Sequence, residues 1–400
     1  MSSGPSEHQS HSPERHTNPG TKHMHILVAP NAFKNSLDAV PSAEAIRKGL
    51  LQSRLHCTCE CFPIGDGGDG TAELLMRKLE GTVIQCQVHD PLRRIITSRF
   101  GLIDNGHTAV IEMADASGLR LLSPRELNPL SATSFGTGEL IKEALNRKVT
   151  KIIICIGGSA TVDGACGILQ ALGIRFLDTN GNELTNLPAD LIDLEEIDLS
   201  ELDPRILDCN LTILCDVDNY LLGIHGAASV FGPQKGASDK DVLLLESALS
   251  KFREVALKQT GKDMGIVKHG GAAGGTAAGL YALLNANLVN GIDQFLEITG
   301  FEKALEDADM LITGEGSIDE QTLHGKAPYG VAVLAKKKGI PVIGVAGKLP
   351  LESNEALHEY FDVLLTIGNG PVELKQAMHD TEANLIRTAR QLGNMITFFN

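Results

Sequence analysis

Apolar residues in this chain come in short blocks separated by Gly, Pro, Asn and Asp. Residues 25–30 form an apolar run closed by Pro30, the pattern of a buried strand. Ala, Ile and Leu then recur at helical spacing across 41–52, which predicts a helix. A second strand is expected over 57–64, then a Gly-Asp loop, then a helix over 71–79. Strand, helix, strand, helix is the order of a parallel sheet covered by helices.

The rhythm changes at Gly81. Residues 83–88, 95–102 and 108–113 read as three strands joined by turns, with Asp90-Pro91 and Asn105-Gly106 among them. Asn-Gly between two strands is a strong hairpin signal. Further on, the pattern predicts a helix over 139–145, a strand over 151–156, a helix over 163–172 and a strand over 211–217. From about Gly291 the alternation returns, with helices over 292–305, 329–338 and 372–392 and strands over 310–313, 341–346 and 362–366. The simplest arrangement is α/β. One domain is built from 24–85 plus 290–400, a second α/β domain is inserted at 86–289, and a tail occupies 1–23. The tail is rich in Ser, His and Pro and is expected to be disordered. Two crossings between two domains make a cleft and a hinge, a common place for ligands.

Charge narrows the partners. The formal net charge of −15 repels nucleic acid and anionic membranes, so neither is expected as a partner. Against that background, individual Lys residues in Gly-rich loops stand out as anion-binding candidates. The eight Cys contain no CxxC pair, and Cys57, Cys59 and Cys61 alternate as on one strand face, so free thiols in a reducing compartment are expected. The start of the chain has no apolar signal region and no apolar run approaches the ~20 residues of a membrane span, which points to the cytoplasm.

The chemistry-bearing residues sit in turns. Gly65-Asp-Gly-Gly-Asp-Gly70 lies between an expected strand and helix and formally fits GxGxxG. Two carboxylates inside that loop repel a pyrophosphate unless a cation intervenes. The loop therefore suits Mg2+ with phosphate, through Asp66, Asp69 and the backbone of Gly67 and Gly68; the alternative is a capped turn. Lys34 follows the first strand, where open α/β sheets place ligands. Gly158, Ser159 and Asp163 lie in a turn between a strand and a helix, where backbone N–H groups attract anions or Asp163 caps the helix. Ser134 begins a second small-residue turn, Asp216 and Asp218 end a strand, Lys235 is flanked by Gly, and 270–275 offers open backbone. Glu315, Asp319 and Lys326 share one polar loop past a strand. No GxxxxGKS/T, GxSxG, HExxH or HRD sequence occurs. Several anion-friendly turns and clustered carboxylates favour phosphoryl transfer without naming the acceptor.

Nine segments in order carry a resemblance. They are APNAFKNSL (29–37), PIGDGGDGT (63–71), IEMADASGL (111–119), SFGTGELI (134–141), IGGSATVDG (156–164), CDVDN (215–219), FGPQKGAS (231–238), AAGG (272–275) and ITGEGSIDEQTLHGK (312–326). Together they resemble the bacterial glycerate kinase family, type 1. The resemblance implies ATP-dependent phosphorylation of D-glycerate to 2- or 3-phosphoglycerate. It also implies a discontinuous Rossmann-like parallel-sheet domain with an inserted second α/β domain. Three departures are Asn31 where the family often has Asp, Tyr220 where Pro is usual, and a run from His269 where Pro-Gly-Ala-Gly is usual. On this reading Lys34, Asp66, Asp163, Asp216 and Asp319 are the catalytic candidates. Asp66, Asp69 and Asp319 are candidates for Mg2+. Gly67, Gly68, Ser134, Gly158, Ser159, Lys235, Glu315 and Lys326 are expected to meet substrate or phosphate. Two rivals stay open, a kinase for another small hydroxy acid and a nucleotide-binding regulatory protein.

Overall fold

The computed structural model describes residues 23–352 and 354–398, so the expected disorder of the tail falls, apart from His23, outside the described residues. In chain order the strands are β1 (Met24–Val28), β2 (Cys57–Cys61), β3 (Thr82–His89), β4 (Ile95–Ile103), β5 (Thr108–Glu112), β6 (Lys151–Cys155), β7 (Arg175–Leu177), β8 (Glu196–Asp198), β9 (Asn210–Cys215), β10 (Asn287–Asn290), β11 (Met310–Ser317), β12 (Val342–Lys348) and β13 (Val363–Thr366).

One sheet has five parallel strands in the order β13-β12-β11-β1-β2. Counting only its own strands, that is the doubly wound order 2-1-3-4-5, whose switch point lies between β1 and β11. The apolar run of β1 explains its central place. Ile26 and Val28 pack beneath the helices Ala39–Leu51 and Thr381–Ile396, while Leu27 faces the opposite core. A strand apolar on both faces has to be covered on both sides.

The second sheet runs β10-β9-β6-β5-β4-β3, parallel from β10 to β5 and antiparallel through β4 and β3. The hairpin expected at Asn105-Gly106 is present, with Asp104, Asn105 and Gly106 all left-handed at φ 51°, 55° and 87°. One face of this sheet builds a large core with Leu140, Ile168, Leu249 and Leu280. Its other face, through Val110, Ile153 and Leu214, joins Leu75 and Phe295 in a core that also contains Leu27 and Leu311 of the first sheet. The two sheets therefore meet through a shared apolar seam.

Several expected elements differ in detail. The helix expected over 292–305 is broken at Gly300, φ 69°, into Gly291–Thr299 and Phe301–Ala304. The helix expected over 372–392 is two, Leu374–His379 and Thr381–Ile396. The helix expected from 163 begins at Cys166, because Gly164 and Ala165 are left-handed, at φ 60° and 71°. The open stretch expected at 270–275 instead starts the helix Ala272–Leu284, with a left-handed turn through residues 273–275. The longest helix, Asp239–Thr260, lies outside the expected elements. Its capping box at Ser238 and Asp241 and its stripe of Leu245, Ala248, Leu249, Phe252 and Val255 carry the signal.

Candidate active site

The strand ends of both sheets point their loops into one region beside the switch point. Beyond β1, the Asn31 N–H donates to the Gly314 carbonyl at 2.8 Å, which lays this loop along β11. The loop closes through the Phe33 and Leu37 pairing, and the Ser36 hydroxyl donates to the Met378 carbonyl at 2.6 Å. Lys34 is thus exposed on a tethered loop at the rim.

The Gly65–Gly70 loop is gripped from both sides. Asn31 Nδ2 donates to Asp66 Oδ2 at 3.0 Å, and the Gly157 N–H donates to the Gly67 carbonyl at 3.0 Å. Gly67 is left-handed at φ 91°, and a Cβ there would sit 2.6 Å from the Leu214 carbonyl oxygen. A Cβ on Gly291 would sit 2.0 Å from the Asp66 carbonyl oxygen. Only glycines let this loop enter between β6, β9 and the helix that follows β10.

Two expectations about this loop change. The N–H groups of Gly67 and Gly68, expected to meet phosphate, are occupied within the loop by Thr71 Oγ1 at 3.1 Å and Asp66 Oδ1 at 3.2 Å. Asp69 accepts from Arg120 Nη1 at 2.6 Å, and the same guanidinium pairs with Asp115. Asp69 is thereby balanced by a cation of the chain itself.

Asp216, half-buried at the end of β9, is pushed up to about 6, first by loss of water and then by the charge of Asp66; Lys34 and Lys235 pull the other way. Glu315, buried on β11, is pushed up to about 7 by burial, with Lys326 opposing and Asp66 and Asp319 adding to the shift. Its Oε1 accepts from Thr322 Oγ1 at 3.0 Å. Asp66 thus lies within electrostatic reach of both Asp216 and Glu315. Asp319 is half-buried, caps the turn that follows through Gln321 N–H at 2.9 Å, and receives Ser317 Oγ at 3.2 Å. Lys326 stands at the start of the helix Ala327–Lys337.

Lys235 is buried, with Nζ donating to Ser159 Oγ at 2.8 Å and to the Thr161 carbonyl at 2.7 Å. Burial pulls this amine down to about 7, against the attraction of Asp163 and Asp216. It therefore holds the turn of Gly158 and Ser159 in place. Asp163 and Ser134 are not free for substrate. The fully buried Asp163 accepts from Ser134 N–H at 2.8 Å, Ser134 Oγ at 2.7 Å and Gly167 N–H at 3.1 Å. The expected catalytic role of Asp163 and substrate contact of Ser134 give way to a brace between two turns.

Sequence reasoning missed Arg120 and Glu112. Glu112, inside the quoted segment 111–119, is buried and accepts from the Ala72 N–H at 2.9 Å, tying β5 to the helix that follows the Asp66 loop. A Glu at the end of an apolar strand was the available signal.

Comparison with known proteins identifies the family. The model of the glycerate kinase family matches residues 26–397. The chain belongs to the glycerate kinase family. It is 43% identical over 373 residues to glycerate kinase of Bacillus subtilis (strain 168), covering 93% of this chain and 98% of that one. It is 42% identical over 375 residues to glycerate 2-kinase of Escherichia coli (strain K12), covering 92% and 97%. A crystal structure described as that of a glycerate kinase 2 from Salmonella typhimurium LT2 superposes with a TM-score of 0.79 at 39% identity, covering 94% of this chain and 99% of that one. As a glycerate kinase family member the chain is an enzyme, a phosphotransferase with an alcohol group as acceptor, and its α/β fold with a Rossmann-like parallel sheet is the one the sequence implied.

Proposed function

We propose that this enzyme moves the γ-phosphoryl of ATP onto a hydroxyl of D-glycerate in the crevice beside the β1–β11 switch point, as a type 1 member of its family. The observation that supports the reading is that Asp66, Lys34 and Lys235 lie within electrostatic reach of Asp216, and Asp66 and Lys326 within reach of Glu315, at strand ends drawn from both sheets. Phosphoryl transfer depends on positioning and charge compensation more than on covalent chemistry, and mixed acids and amines at one centre supply both.

Asp216 is the proton acceptor in this reading. Its proton affinity near 6 leaves it ionised at neutral pH yet basic enough to take the hydroxyl proton. As that proton passes to Asp216, the glycerate oxygen forms its bond to the γ-phosphorus and the bond from phosphorus to the bridging oxygen of ADP breaks. Lys34 and Lys326 offset the charge of phosphate and of the glycerate carboxylate. Lys235 and Ser159 fix the Gly158 turn that faces them. Among the described residues no three His, Cys, Asp or Glu side chains form a ready-made metal cage. That suits Mg2+, which takes one or two carboxylates and completes its shell with phosphate oxygens and water. Asp66 and Asp319 are the residues that would hold it; Asp69 stays with Arg120. When bound, Mg2+ neutralises charge on the transferring phosphoryl. The E. coli relative bears the name glycerate 2-kinase, which favours the 2-hydroxyl as acceptor.

The test is coupled ADP release with D-glycerate, lactate and tartrate in turn, with NMR of the product for regiochemistry. Turnover on D-glycerate well above the other two is expected. ADP release that ignores glycerate leaves only a nucleotide-binding protein and removes the reading. Asp66→Asn and Lys34→Ala should each lower kcat by roughly 10²–10³ while the protein stays folded.

A further inference from the structure

The loop that carries Asp216 is clasped by a residue that no part of the reaction scheme has used. His269 is buried and left-handed, at φ 70°, in a stretch whose next two residues are glycines. A non-glycine residue in that region is uncommon and strained, and such strain persists where the surroundings hold it for a purpose. Its imidazole explains why glycine is absent there. Nδ1 lies 2.8 Å from the Val217 carbonyl oxygen and so donates to it, and it lies 3.2 Å from Asp218 Oδ1. Two residues on, the Gly271 N–H donates to the Asn219 carbonyl at 2.8 Å. Lys268 Nζ reaches the same Asp218 oxygen at 3.1 Å. Residues 268–271 thus grip 217–219 by backbone and side chain together, immediately after Asp216.

We infer that His269 is a positioning residue: by holding the Val217 carbonyl it fixes the Asp216 carboxylate toward Asp66, Lys34 and Lys235. This rests on Asp216 being the proton acceptor. When the clasp is lost, Asp216 turns toward water. Distance to the reacting hydroxyl then increases, and turnover falls. Binding of ATP, which does not depend on Val217, changes little.

The experiment compares His269→Gly, His269→Asn and Asp216→Asn in the full-length enzyme. His269→Gly removes the imidazole and relieves the backbone. His269→Asn keeps an N–H donor near the Nδ1 position and tolerates the left-handed conformation. In His269→Gly, kcat should fall about ten- to a hundred-fold, the scale of a misplaced catalytic group, with KM for ATP within about two-fold. His269→Asn should recover most of the lost kcat. Wild-type kcat in His269→Gly overturns the inference, as does loss of kcat in His269→Gly with KM for ATP raised in proportion or with no recovery in His269→Asn. Unimpaired turnover in Asp216→Asn instead removes the assignment of the proton acceptor. A silent His269→Gly beside an inactive Asp216→Asn removes only the role of His269.

Discussion

Glu112 shows how a single side chain joins the two halves of the site. Only 4% of it is exposed, one carboxyl oxygen accepts from Ala72, and Oε1 has no partner among the described residues. Burial first, with Asp69 adding to it, pushes this carboxyl up to about 8 against the pull of the Ala72 N–H. A folded-state value above the ordinary one means that the native chain keeps a proton that the unfolded chain has released. The stabilisation is complete below about 4.5 and is lost as pH rises through about 8. Glu112→Gln retains an oxygen for the Ala72 N–H and cannot ionise. Its melting temperature should therefore gain on that of the wild type as pH is raised from about 6 to about 9. Parallel curves across that range count against a buried ionisation at Glu112. The same logic gives a ligand-linked effect. If Mg2+ and ATP require Glu315 and Asp216 as anions, binding near pH 6 releases protons, so the calorimetric binding enthalpy should depend on the ionisation enthalpy of the buffer. Equal enthalpies in phosphate and Tris would mean that neither group changes its proton on binding.

Among the elements, the Gly65–Gly70 loop is held closely at Gly67. Its spacing in the sequence matches a phosphate-binding fingerprint, yet its glycines serve close packing, since Gly67 and Gly157 let strands of two sheets approach through backbone alone. Gly67→Ala adds a Cβ at φ 91° only 2.6 Å from the Leu214 carbonyl oxygen. It should destabilise the fold by about 1–3 kcal/mol and lower kcat, because the displaced residue adjoins Asp66. Denaturant unfolding and steady-state kinetics on the same preparation check this. Unchanged stability would mean that the loop sits elsewhere in solution. Hydrophobic periodicity located this loop and most strands, because alternation and turn residues are local signals. It ran two C-terminal helices into one, and it missed the break at Gly300, although a left-handed glycine after Thr299 is a local stop signal.

At the scale of the molecule, the seam between the sheets limits how far the halves can be separated. The boundary expected between 85 and 86 falls inside β3, and the one between 289 and 290 falls inside β10. The helices Thr71–Lys78 and Gly291–Thr299, whose Leu75 and Phe295 cover Val110, Ile153 and Leu214 of the second sheet, lie outside 86–289. A fragment of residues 86–289 should then expose that apolar face, bind the dye ANS and lack a cooperative thermal transition. A soluble fragment with sharp unfolding would restore the inserted stretch as a self-sufficient domain.

What the sequence by itself determined is the α/β class, the hairpin at Asn105-Gly106 and the turns that bear acid and amine, because each follows from local periodicity and turn chemistry. Its ordered motifs also carried the family. Only the tertiary structure decided which of those residues face one another. Asp216 and Glu315 lie far from Asp66 in the chain and come within its electrostatic reach because two sheets share a seam beside a switch point. Asp163 and Ser134 carry equally suggestive motifs and are consumed by bracing one another. Whether a polar group is free or occupied depends on partners brought by distant strands, and no local pattern records that.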